Sequence, residues 1–249
     1  MSFTDKGLLL AGDVYIAEIT NGVKGPLIGP INVNEITVTP PTTEEKSRIS
    51  KKRSTFGQAL DSVQLPKDPA KLSLKWDSMT KQLLADAIAG KQVDFTQAEA
   101  PVVDEPVTLS KEGWVELGNA YIKPGTIVVK LASGSTTLVL DTDYKANGNM
   151  VMALNDTAAV ACKVSYTKAA VTGTTYTGTT ETLKPRYFLI DGENLANPGQ
   201  RVRVTIDQAM LAAQGALALM SGEFMEGELE GSLVTQPGKS EPYRMEILN

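Results

Sequence analysis

The chain has 249 residues, a formal net charge of −5, 42% hydrophobic residues, one cysteine and no histidine. That apolar fraction suffices for a core and excludes a disordered chain, and the acidic balance disfavours a surface that grips nucleic-acid phosphates. Without histidine there is no Ser-His-Asp triad and no imidazole base, and the lone Cys162 supplies neither a disulfide nor a thiolate zinc cluster, so most hydrolase and metalloenzyme readings fall.

The amino-terminal run LLLA at 8–11 is too short for a signal-peptide core, and no apolar run is long enough to span a bilayer. The expectation is a protein made in the cytoplasm, with no membrane anchor. From Leu8 to Thr39 the chain is rich in Val, Ile, Tyr and Thr, punctuated by Asn21-Gly22, Gly25-Pro26 and Gly29-Pro30, which predicts strands joined by tight turns. In INVNEITV the apolar parity slips from Ile31 and Val33 to Ile36 and Val38, predicting a bulge or a change of sheet. From Pro40 to Thr55 nearly every residue is polar, and the expectation is a long loop. Its cations Lys46, Arg48, Lys51, Lys52 and Arg53 outnumber Glu44 and Glu45 and make it a candidate docking arm, with a solvated connector as the plainer alternative. FGQALDSVQLP then returns to strand-like sequence.

The stretch from Lys71 to Thr96 organises the rest. In KLSLKWD, Leu72, Leu74 and Trp76 alternate with polar residues, the period of a half-buried strand. Met79, Leu83, Leu84, Ala87 and Ile88 then follow helical spacing, with Asp77 or Ser78 as cap and Gly90 as the left-handed terminator. Val93 and Phe95 begin another strand. QAEAPVVDEPVTLSKEG reads as a linker or an edge. Five short strands between Trp114 and Lys168 suggest a small β-sandwich, and the Thr- and Gly-rich stretch before Lys184 reads as an exit linker. Residues 101–184 therefore look like a module inserted into a discontinuous host domain, 1–100 and 185–249. In the resumed host, RVRVTID places Val202, Val204 and Ile206 inward. EFMEGELEGSL places Glu226, Glu228 and Glu230 on one strand face, with Leu229 and Leu233 on the other. PYRMEIL closes as a strand.

No constellation points to catalysis or to a cofactor. Carboxylates two apart on a strand converge poorly on one ion, so Glu226, Glu228 and Glu230 make a weak metal site. Asp141, Asp143 and Asn147 imitate part of a calcium loop, but Asn147-Gly148 is more simply a hairpin turn. Cys162 lies in an alternating segment and reads as a small core residue.

The order of parts, a GDVYI strand, a long polar loop, KLSLKWD leading into a helix, RVRVTID and the acidic EFMEGELEG, resembles the tail tube (major tail) proteins of long-tailed bacteriophages. The segment LDTDYKANGNMVMALNDTAAVACKVSYTK resembles the immunoglobulin-like β modules that such proteins carry. The resemblance implies a mainly β fold, a sandwich with one flanking helix, assembled as hexameric rings that stack into a hollow tube for DNA. Its implied partners are copies of itself, the tape measure, terminator and tail-tip proteins, and DNA in transit, and its place is the virion tail. It further implies that Lys46, Arg48, Lys51, Lys52 and Arg53 reach the neighbouring ring. On the same picture Glu226, Glu228 and Glu230 line the lumen, where negative charge keeps DNA from sticking; an outward solvated face is the alternative. The competing class is a non-catalytic surface β-protein, an adhesin or carbohydrate-binding module. A tube protein of contractile injection systems is a near relative of the first reading, and an enzyme is the weakest.

Overall fold

The computed structural model describes residues 7–181 and 183–248; the first six residues of the amino-terminal stretch, Thr182 and Asn249 lie outside it. The described residues form strands β1 (Leu10–Thr20), β2 (Val23–Lys24), β3 (Ile28–Ile31), β4 (Val33–Thr39), β5 (Thr42–Ile49), β6 (Ala59–Asp68) and β7 (Lys71–Trp76), then helix α1 (Lys81–Ala87). Strands β8 (Lys91–Gln97), β9 (Ala100–Thr108), β10 (Val115–Glu116), β11 (Val128–Leu131), β12 (Tyr144–Asn147), β13 (Met150–Ala153), β14 (Ala161–Lys168) and β15 (Val171–Thr177) follow. The chain closes with β16 (Lys184–Asn194), β17 (Arg201–Gln214), β18 (Gly227–Leu233) and β19 (Tyr243–Ile247). The fold is mainly β.

Two compact units divide the chain, residues 1–92 with 176–249, and residues 93–175. Both bounds of the second unit precede the 101–184 read from composition, because the stretch read as a linker or an edge is an edge strand and the expected exit linker is largely a strand. Pro101 and Pro106 lie in β9, which among the described residues pairs with β14 alone and so is an edge, where a missing N–H is tolerated. The Thr-rich stretch contributes β15, paired with β8.

The first unit is built on a nine-stranded sheet in the order β2-β1-β16-β17-β18-β7-β4, with β19 also on β17 and β3 also on β1. Alternation in β7 does what its sequence dictates: Leu72, Leu74 and Trp76 are fully buried and Lys71 points out. Val202, Val204 and Ile206 of β17 join them. The register on β16 then shifts between Phe188 and Arg186, and β17 continues with Ala209 and Leu211 inside. The predicted slip in β4 is a bulge between Val33 and Glu35. Gly231 faces β17 so closely that a Cβ would collide with the Met210 carbonyl, and Gly227 lies under the Trp76 ring.

Helix α1 is shorter than its apolar spacing suggests and is capped differently. Thr80 Oγ1 accepts the Leu83 N–H at 3.3 Å, whereas Asp77 and Ser78 are engaged by Asn32, whose Nδ2 lies 2.7 Å from Asp77 Oδ1 and whose N–H lies 2.8 Å from Ser78 Oγ. The left-handed residue is Ala89 (φ 50°), not Gly90. Gly90 is required for a different reason: the Thr177 carbonyl occupies the space a Cβ would need.

The second unit has its own core. Sheets β10-β13-β12 and β11-β14-β9 enclose Val129, Val151, Val164, Leu117 and Tyr144. The Asn147-Gly148 turn joins β12 to β13 with Asn147 opposite Met150 and Gly148 at φ 60°, as its hairpin reading requires. Cys162 is 1% exposed in this core, and burial raises its thiol pKa, which keeps it protonated and inert.

Candidate assembly surfaces

The polar stretch after Pro41 is not a loop. β5 and β6 form an antiparallel hairpin, with Glu44 opposite Leu65, Lys46 opposite Val63 and Arg48 opposite Asp61. Every residue of both strands is exposed. A period-2 signal needs one buried face and this ribbon has none, so the polar β5 half read as irregular, while β6 falls largely in the strand-like FGQALDSVQLP. The tip is tied by Ser50, which is fully buried: its N–H bonds Gln58 O at 2.7 Å, and its Oγ lies 2.7 Å from Thr55 Oγ1. Arg48 clamps Asp61 across the ribbon, Nη2 to Oδ2 at 2.7 Å. Lys46, on the same face, and Lys51, Lys52 and Arg53, at the tip, have no anionic partner among the described residues. Ile49, Phe56, Leu60, Val63 and Leu65 are exposed beside them, Phe56 by 71%. The arm is thus a mixed cationic and apolar ribbon.

The three glutamates do not form a purely acidic strip. Glu228 and Glu230 lie on β18, beside the outward lysines of β7: Glu230 is 3.6 Å from Lys71 and Glu228 is 4.0 Å from Lys75. Glu226 precedes the strand and accepts from Asn34 Nδ2 at 2.9 Å. Glu228 and Glu230 share a face as their spacing predicts, Glu226 lies just before the strand, and the neighbouring strand offsets part of their charge. Such exposed pairs contribute about 0–1 kcal/mol, so they set the field of the surface more than its stability. The lysines were legible in KLSLKW; which strand lies beside them was not.

The residues missed altogether hold α1 to the sheet. Asp86 is 2% exposed and Arg186 is 1% exposed, and they meet in a two-pronged bridge: Nε to Oδ2 at 3.0 Å and Nη2 to Oδ1 at 2.7 Å. Lys184 adds Nζ to Asp86 Oδ1 at 3.0 Å and to the Gly90 carbonyl at 2.6 Å. It also reaches Glu181 at 3.2 Å, and hydrogen bonds from Lys184 and Lys91 hold that carboxyl below its usual range. The available signal was a charge directly before an apolar run, Arg186 ahead of Tyr187, Phe188, Leu189 and Ile190. Buried guanidinium demands a carboxylate, and the helix supplies one.

An open cleft on the first unit is lined by Lys24, Tyr187, Arg203, Lys239 and Arg244. Most of its cations are already engaged: Lys239 with Asp207 at 2.6 Å, Arg244 with Glu241 at 2.5 Å, and Lys24 over the Tyr187 ring at 4.4 Å. Among the described residues, no group of three or more His, Cys, Asp or Glu side chains is placed to hold a metal ion, and no helix is long and apolar enough to cross a membrane.

A family model described as "Protein of unknown function UCP028589" matches residues 8–243. No curated protein matches the chain.

Proposed function

We propose that this chain, which belongs to the family described as protein of unknown function UCP028589, is a non-catalytic building block of a hollow tube. In this reading it is the tail tube protein of a long-tailed phage: copies close side by side into hexameric rings, the rings stack in the virion tail, and DNA slides through without specific binding. The observation that carries it is the β5–β6 hairpin. A free two-stranded ribbon is marginal in water, and this one exposes every residue of both strands, with apolar side chains among them. A second copy covering it explains both its length and its composition. The outer edge of β4, which among the described residues pairs with β7 alone, offers a further strand-pairing surface of the kind closure into a ring removes. The unit at 93–175 would be the inserted immunoglobulin-like module.

Microscopy of the purified protein tests this directly: rings or tubes are expected, and a monomer at every concentration overturns it. Replacing residues 43–67 by a two-glycine turn is expected to leave folded monomers or single rings, whereas tubes of normal length would remove the arm from the assembly. Charge reversal at Glu226, Glu228 and Glu230 is expected to slow DNA delivery, and unchanged delivery would place that face outside the lumen. A second reading, glycan binding by the 93–175 unit, is favoured by Tyr121, which is 55% exposed and stacked on Phe95 at 5.8 Å. Loss of glycan retention in Tyr121→Ala, with assembly absent, would favour it.

A further inference from the structure

The segment between β17 and β18 contains ALALMSGEFME, and three of its large apolar side chains face water while Leu217 and Met225 are half-buried. Leu219 is 76% exposed, Met220 96% and Phe224 91%. Side chains of this size present on the order of 400 Å² of apolar surface, a patch a soluble chain seldom leaves bare without a partner. The opposite end of the same sheet carries a second apolar patch. Leu10 pairs with Asn194, Leu195 bonds the Leu9 carbonyl and Leu248 bonds the Arg201 carbonyl, so the ends of β1, β16, β17 and β19 lie in one row. There Leu8 is 50% exposed, Leu9 61%, Leu195 53% and Leu248 55%. The 14 residues of β17 separate the two patches, roughly 45 Å at the usual rise per residue. No single copy can bring them together.

We infer that the 216–226 loop of one copy seats on this leucine row of the next, a head-to-tail contact between copies of this chain. The inference rests on the assembly reading above and assigns its longitudinal surface. Charge supports the pairing: Glu223 in the loop has no cationic partner among the described residues, while Arg201 at the row uses only Nη2 on Asp191, at 3.1 Å. One contact of this kind covers both patches on every interior copy. Because the two surfaces differ, it propagates along a line rather than closing as a pair.

Two single variants test it, Met220→Cys and Leu195→Cys, each leaving the native Cys162 buried and unreactive. Mixed, assembled and treated with a short bismaleimide, they are expected to give covalent dimers, and neither alone should. The double variant should give a ladder. Tubes of unaltered appearance with no cross-link in the mixture, or cross-linking of Met220→Cys to itself, overturn the inference while leaving the assembly reading intact. Absence of rings and tubes in the unaltered protein overturns both. As a second measurement, Leu219, Met220 and Phe224 changed together to Ser are expected to leave the melting temperature unchanged and abolish tubes; unchanged tube length contradicts the contact.

Discussion

Arg186 shows how much of this fold turns on one side chain. It sits in the core because Asp86 meets two of its nitrogens, while the exposed Glu18 comes only to 3.8 Å of Nη1, so removing Asp86 leaves a buried charge without a close partner. Asp86→Ala is expected to cost about 3–5 kcal/mol in denaturant unfolding, whereas Asp86→Leu with Arg186→Met is expected to fall near the parent, because desolvation cancels much of what the pair contributes. Equal losses in both variants would refute the argument. Tyr166 carries the corresponding prediction in the second unit. Burial, reinforced by Glu105, whose Oε2 accepts its phenol proton at 2.5 Å, raises its pKa above the ordinary 10.0. A raised folded-state pKa means the stabilisation is complete below the ordinary value and is lost as pH rises through the folded one. Thermal melts are expected to fall in alkali above about pH 10, and less steeply in Tyr166→Phe. The same slope in both would discard Tyr166 as the cause.

Among the elements, α1 and the hairpin are opposites. The helix has 7 residues and too few turns to hold itself, so Leu83 against the sheet and the Asp86 bridge hold it. Its cap adds little: Thr80→Ala is expected to cost about 1 kcal/mol. Ala89 at φ 50° is the more informative site, since glycine adopts that conformation without the Cβ penalty. Ala89→Gly is expected to raise stability by roughly 0.5–1 kcal/mol after the entropy of the unfolded glycine is deducted, and a lower melting temperature would show the strain is absent. The β5 half of the hairpin was illegible as a strand because its sequence answers to no buried face of its own chain, whereas the strand-like FGQALDSVQLP became most of β6. The helix was legible in its period but not in its ends, where Asn32, between β3 and β4, engages Asp77 and Ser78 and the Thr177 carbonyl crowds Gly90.

At the scale of the molecule, two cores predict two unfolding units. Residues 93–175 keep Val129, Val151 and Val164 buried among themselves. Expressed alone, this segment is expected to melt cooperatively, and a chain without it should retain the sheet of the first unit. A single transition shared by both units, with neither segment folding alone, would reject this division.

Local order along the chain determined the mainly β character, the inward faces of β7 and β17, the bulge in β4, the turn at Asn147-Gly148 and the burial of Cys162, because each depends on alternation or turn chemistry within a few residues. The tertiary structure alone decided that Lys71 and Lys75 lie against Glu230 and Glu228, that Arg186 finds Asp86, that the Pro-rich stretch is an edge rather than a linker, and that the Thr-rich stretch is a strand. Those outcomes depend on which distant segments become neighbours, and a charge or an edge strand takes its meaning from what lies beside it.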